Sequence, residues 1–255
     1  METSMKDKVA LVTGGSSGIG RAIAEAFCAA GARVAITGRR EAELNAAARA
    51  MGALPLPGDV RDAGHARRAV VACVEQFGGL TTLVNNAGVI ATGTTADTAP
   101  EEWERVMGIN LEGTVLFSRA ALPALRKAGR GAGASILNLS SVAGARPYAA
   151  VTAYCVSKAA VDMFTRCLAL EVAPDAIRVN AMAPGVVVTN LHTAGNAVAD
   201  YPAFLERSKE THPLGFVGEA RDIAAFALYL CSDAARWVTG GIFPIDGGRA
   251  LASSR

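Results

Sequence analysis

The sequence predicts a single-domain, doubly wound α/β fold with a seven-stranded parallel sheet. Three observations predict it. Short apolar runs alternate with longer helical patterns along the chain. Several runs are continuously apolar, as parallel strands covered on both faces require. No composition shift, internal repeat or Pro/Ser/Gly-rich linker divides the 255 residues.

In order, the strands are Val9–Val12, Arg33–Thr37, Leu54–Leu56, Leu80–Val84, Ser135–Leu139, Ile177–Met182 and Ile242–Ile245. The helices between them are Gly18–Ala30, Glu41–Met51, Ala63–Phe77, Glu101–Lys127, Ala153–Val172 and Glu219–Leu230. This alternation gives right-handed crossovers between parallel strands. Gly129–Gly133 reads as a helix-to-strand loop. The longest stretch without a strand, Pro184 to Gly218, reads as a substrate loop near 186–217, with two short packed helices as the plainer alternative.

Composition narrows the function. The chain is 51% apolar and 19% charged, with a net charge of +2 and no long basic run. Arg67-Arg68 and Arg126-Lys127 read as solvated helix faces, so nucleic acid is not an expected partner. The widely spaced cysteines (Cys28, Cys73, Cys155, Cys167, Cys231) read as buried thiols in a reducing compartment. His65, His192 and His212 stand alone, so no metal site is expected. The acid-containing N-terminus reads as no signal peptide, and no apolar run reaches the roughly 18 residues that span a bilayer. The expectation is a cytoplasmic protein.

After the first strand, Thr13-Gly14-Gly15-Ser16-Ser17-Gly18-Ile19-Gly20 opens a helix. Glycines there let a pyrophosphate approach the outward-pointing N–H groups of the helix start. A nucleotide-triphosphate loop is excluded, because Arg21 and Ala22 stand where Lys and Ser/Thr are needed. The second strand ends Thr37-Gly38-Arg39-Arg40, with Gly38 at the position of the acid that would bind the NAD ribose. Arg39 there favours the 2′-phosphate of NADP(H). The alternative is that both arginines solvate the next helix.

Tyr154 and Lys158 stand four residues apart, with Ser141 thirteen residues before Tyr154. Four apart on a helix is one face, so an ammonium lies beside a phenol. A free phenol titrates near about 10, and a fixed cation lowers that value. The pair therefore reads as a general acid or base. Singly, Tyr154 reads as core, Lys158 as solvated and Asn110 as a helix cap.

With turn and pair together, the chain resembles the short-chain dehydrogenase/reductase family from about Lys8 to Gly248, in its 3-oxoacyl-carrier-protein reductase-like form. Thr13 through Gly20 resembles the family's T-G-x-x-x-G-x-G turn. Asp59-Val60 resembles the adenine-holding pair, and Asn85-Asn86-Ala87-Gly88 the N-N-A-G segment. Asn110 falls where the family keeps its catalytic asparagine, and Ser141, Tyr154 and Lys158 match the serine and Y-x-x-x-K. Pro184-Gly185 and Thr189 resemble the P-G-x-x-x-T segment around the nicotinamide.

The resemblance implies a Rossmann fold and an oxidoreductase interconverting a ketone and a secondary alcohol. Asn110, Ser141, Tyr154 and Lys158 would be catalytic: Ser141 on the carbonyl, Tyr154 as acid or base, Lys158 on the ribose, Asn110 placing a water. Gly14, Ser16, Ser17, Gly18, Ile19, Gly20, Arg39, Asp59, Val60, Asn86, Ala87, Gly88, Pro184, Gly185 and Thr189 would hold the cofactor with Tyr154 and Lys158. NADP(H) is favoured. NAD(H) stays open, because Ser17 stands where many NADP-binding members carry a base. A non-catalytic dinucleotide sensor is the alternative class, and a sugar-nucleotide epimerase expects a longer C-terminal region. Arg146, Tyr148, Val187, Leu191, Tyr201, Phe204 and Leu205 are candidates for the substrate cleft. A homotetramer is implied through the two long helices and the last strand.

Overall fold

The computed structural model describes residues 3–194 and 198–252, with only the backbone at 130–132. Seven parallel strands form one sheet: β1 (Val9–Thr13), β2 (Arg33–Gly38), β3 (Leu54–Pro57), β4 (Thr82–Asn85), β5 (Ala134–Leu139), β6 (Ile177–Pro184) and β9 (Ile242–Ile245). The order is β3-β2-β1-β4-β5-β6-β9. A second, two-stranded sheet pairs β7 (Val187–Val188) with β8 (Gly218–Glu219). This is the predicted doubly wound fold.

Alternation along the strands explains the two layers. Ala10 and Val12 of β1 face a core with Ile23, Phe27, Leu44 and Leu230, beneath α1 (Gly18–Ala29), α2 (Glu41–Met51) and α8 (Ala220–Cys231). Val9 and Leu11 face a second core with Phe117, Leu125 and Leu168, beneath α3 (Ala63–Phe77), α5 (Gly113–Ala132) and α6 (Thr152–Val172). Every residue of β1, β4 and β5 is buried, which is why those runs read as continuously apolar.

Most boundaries shift by a residue or two from the sequence reading, and four differences have a local cause. The predicted strand Leu80–Val84 begins at Thr82, because Thr81 bridges to β1 with its side chain, accepting from the Val9 amide at 2.9 Å. The predicted helix Glu101–Lys127 is interrupted: α4 (Pro100–Met107) passes through a π-turn at Gly108–Glu112 into α5. Gly129 lies inside α5 rather than in a loop, since a Cβ there would come 2.3 Å from the Asp175 carbonyl. Among the described residues, the stretch after β6 holds β7, β8 and the α-helix α7 (Tyr201–Glu210); residues 195–197 lie outside the described residues.

Candidate active site

A cleft of about 580 Å³ opens at the carboxyl ends of the strands. The strand order reverses between β1 and β4, and open α/β sheets bind ligands at such a switch point. The β1–α1 turn is stitched to the end of β4. Thr13 Oγ1 accepts from the amides of Asn86 (2.9 Å) and Ala87 (3.0 Å), while Asn86 Nδ2 donates to the Thr13 carbonyl at 2.9 Å. Gly20 faces away from the cleft and lets Asn86 close in: a Cβ there would lie 2.3 Å from Asn86 Nδ2.

Helix α1 starts without a capping side chain, and its first turn carries no acid. Its first N–H groups are therefore left to the cleft, where an anion completes them. Gly14 and Gly18 sit at φ +66 and +55, a conformation that favours glycine. A Cβ at Gly18 would lie 3.3 Å from Thr189 across the cleft, so a side chain there would press on that wall. These features fit a dinucleotide pyrophosphate.

At one end of the cleft, Arg39 is exposed, and its guanidinium forms no ion pair among the described residues. Arg40 is committed to Glu43 at 2.8 Å. Asp59 is held by Arg61 at 2.7 Å, and that hydrogen bond keeps its carboxyl below the usual carboxylate range.

At the other end stand Ser141, Tyr154 and Lys158. Strand β5 delivers Ser140 and Ser141, and α6 carries Tyr154 and Lys158 one turn apart. The Ser141 hydroxyl accepts from the Ala143 amide at 3.2 Å and lines the cleft beside Tyr154. Ser140 turns away, donating to the Lys158 carbonyl at 3.3 Å. Lys158 Nζ lies 5.7 Å from the Tyr154 ring centre and donates to the Leu139 carbonyl at 2.7 Å. Burial dominates both titrations: it pushes Tyr154 up to about 12, against the lowering influence of the nearby Ser141 hydroxyl, and Lys158 down to about 8. The expected lowering of the Tyr154 pKa by Lys158 is thus reversed among the protein's own groups. Desolvation of the buried phenolate is the largest cause.

Asn110 is buried in the π-turn rather than on the cleft surface. Its Oδ1 accepts from the Val89 amide at 2.8 Å, and its Nδ2 donates to the Val89 carbonyl and to Ser157 Oγ, each at 2.9 Å. A Cβ on Gly88 would lie 3.4 Å from Asn110 Oδ1 and 3.5 Å from Lys158 Nζ, so both groups converge on that glycine.

The family model described as enoyl-(acyl carrier protein) reductase matches residues 14–250. A 2,5-dichloro-2,5-cyclohexadiene-1,4-diol dehydrogenase of Sphingobium indicum is 40% identical, covering 97% of this chain and 98% of that protein. The NADP-dependent (R)-specific alcohol dehydrogenase of Lentilactobacillus kefiri is 36% identical, with the same coverage of 97% and 98%. A crystal structure of a short-chain type dehydrogenase/reductase from Mycobacterium marinum matches with a TM-score of 0.90 and 34% identity, covering 98% of each chain. The chain belongs to the short-chain dehydrogenase/reductase family. It is accordingly an enzyme acting on the CH–OH/C=O couple with a nicotinamide dinucleotide.

All the expected site residues line this family cleft except Gly20 and Asn110, which stand behind its wall. Of the substrate candidates, Val187 and Leu191 line it; Arg146, Tyr148, Tyr201, Phe204 and Leu205 do not. Arg146 is occupied instead by the carbonyls of Arg249 and Ala252. The reading of single residues missed Thr13 and Ser157 as scaffold and His192 as a lining residue. Thr13 and Ser157 lie inside the quoted motifs, so their positions were visible although their bonds were not.

Proposed function

We propose that this enzyme is an NADP(H)-dependent oxidoreductase that interconverts a ketone and a secondary alcohol, with Tyr154 as general acid and base. The observation that carries the reading is the convergence of Ser141, Tyr154 and Lys158 on one cleft, with the Lys158 ammonium 5.7 Å from the Tyr154 ring centre. When bound, the dinucleotide supplies or takes up the hydride. Tyr154, neutral until about pH 12 among the protein's own groups, holds the proton that a developing alkoxide needs. Ser141 donates to the same oxygen and orients the carbonyl. Lys158 holds the ribose hydroxyls, and Asn110 braces Gly88 and Val89 beside it.

Arg39 favours NADP(H), being the cleft arginine that forms no ion pair among the described residues. The glycine turn, Asp59-Val60 and Pro184–Thr189 form the rest of the cofactor site. One domain carries both cofactor and catalysis, with the substrate segment near 186–217. Five free thiols fit a reducing, cytoplasmic compartment. No helix among the described residues is long and apolar enough to cross a membrane.

The reading includes a homotetramer. Val156, Met163 and Leu170 are spaced seven apart on α6, with Leu170 80% exposed, so one apolar stripe is left for a second copy. Trp237, 98% exposed just before β9, marks a second face.

Two measurements test the function. NADPH at 100 times its Kd should add about 2.7 kcal/mol of stability, visible as a rise in Tm, whereas NADH at equal concentration should add less. A rise with NADH alone would reverse the cofactor preference. Tyr154→Phe should lower kcat by about 10²–10⁴ with dinucleotide affinity nearly unchanged. Retention of half the wild-type kcat would remove Tyr154 from the chemistry.

A further inference from the structure

Helix α7 is tied to the cleft wall at both ends. At its start, Tyr201 Oη donates to the Thr189 carbonyl at 2.9 Å and accepts from the Thr189 amide at 3.2 Å. Just past its end, His212 is 2% exposed, and its Nε2 accepts from the Val186 amide at 3.1 Å. His212 Nδ1 lies 2.5 Å from the Ser208 carbonyl, one turn back. A carbonyl only accepts and an amide only donates, so Nδ1 carries the proton and Nε2 is bare. The ring is neutral and its tautomer is fixed from both sides.

Two glycines make room for this ring. A Cβ at Gly185 would lie 2.9 Å from His212 Nε2, and one at Gly247 would lie 3.5 Å from the ring. The other side of the Val186 peptide is also held, its carbonyl accepting from the Gly218 amide at 2.9 Å. Val186 itself is buried, but its neighbours Pro184, Gly185, Val187 and Thr189 line the cleft together with Ser141 and Tyr154. The glycine turn, Arg39 and Asp59 follow β1, β2 and β3 and make no hydrogen bond to His212 among the described residues.

We infer that His212 is a positioning residue: by accepting the Val186 amide it fixes the Pro184–Thr189 wall against the nicotinamide half of the dinucleotide. Helix α7 on the substrate side and this wall then move as one body. The inference rests on the reading of the cleft as a dinucleotide site. It assigns His212 no contact with substrate or reacting atoms.

The test compares two ligands, NADPH and 2′-phospho-ADP-ribose, which is the same molecule without nicotinamide. His212→Gln keeps an acceptor near Nε2; the shorter His212→Asn keeps a donor near Nδ1 and loses that acceptor. By calorimetry, His212→Asn should weaken NADPH about tenfold while 2′-phospho-ADP-ribose stays within about twofold. His212→Gln should leave both within about threefold. KM for NADPH should rise in His212→Asn more than kcat falls. Equal weakening of both ligands, unchanged NADPH affinity, or a Gln variant as impaired as Asn would overturn the role of His212. If wild-type protein binds neither NADPH nor 2′-phospho-ADP-ribose, the proposed function fails, and this inference with it.

Should His212→Asn not fold, pH replaces it. Burial and Arg249 keep His212 neutral, opposed by the Ser208 carbonyl and Asp246. Once protonated, Nε2 cannot accept from Val186. The ratio of the two Kd values, which cancels the titration of the shared ligand phosphate, should rise in wild type only at pH below the ordinary histidine range, because burial lowers the His212 pKa, and stay flat in His212→Gln. A ratio equally flat in both proteins would overturn the assignment.

Discussion

Tyr154 and Lys158 share a buried slot in which neither the phenolate nor the ammonium is well solvated. Burial lifts the phenol to about 12 and drops the ammonium to about 8, so the pair loses its first proton near pH 8. The proton lost near 8 is that of Lys158, and Tyr154 keeps its own. Ketone reduction draws its proton from Tyr154 with the Lys158 ammonium beside it, so its kcat/KM should be level below 8 and fall about tenfold per pH unit above it. The reduction profile in wild type and Lys158→Met checks this, since the break near 8 should vanish in the variant. A wild-type profile level through 8 would contradict it. The spacing of the two residues was legible in the sequence; the sign of the shift was not. A four-residue interval places the groups together, whereas solvation depends on β5 and the 140–144 turn folding over them.

The π-turn is the clearest case of an element hidden by its own sequence pattern. Apolar residues recur through Glu101–Lys127 as one long helix would require, so nothing in the period reports an interruption. The available signal was Gly108 and Gly113, two glycines inside a helical run where each is unfavourable. In the structure they allow close approach, a Cβ at Gly113 falling 2.9 Å from Val60 Cγ2. The turn aims Asn110 at the backbone of Val89 and at Ser157 on α6. Asn110→Ala leaves the Val89 amide and carbonyl without these partners, and each orphaned group costs about 1–3 kcal/mol. Urea unfolding should show a loss of roughly 2–4 kcal/mol, with turnover falling as the wall beside Lys158 loosens. A loss below about 0.5 kcal/mol would mean that the wall holds without Asn110.

The assembled sheet brings the ends of β1, β4, β5 and β6 to one cleft, while the backs of α6 and the β9 edge stay uncovered. Met163→Glu combined with Leu170→Glu places two charges on the exposed α6 stripe, away from the cleft. Light scattering should then report a smaller assembly than wild type. An unchanged mass would remove α6 from the interface between copies. The order of strands and helices, the glycine turn at a helix start and the Tyr154–Lys158 interval were all fixed by short-range pattern. Each depends on neighbours within one or two turns of chain, which the sequence states directly. Folding alone brought Asn86 onto Thr13, Asn110 onto Ser157 and His212 onto Val186, across separations of 73, 47 and 26 residues. Those contacts set burial, tautomer and the direction of each pKa shift, because solvation and hydrogen-bond partners come from whichever distant segments the packed sheet places together.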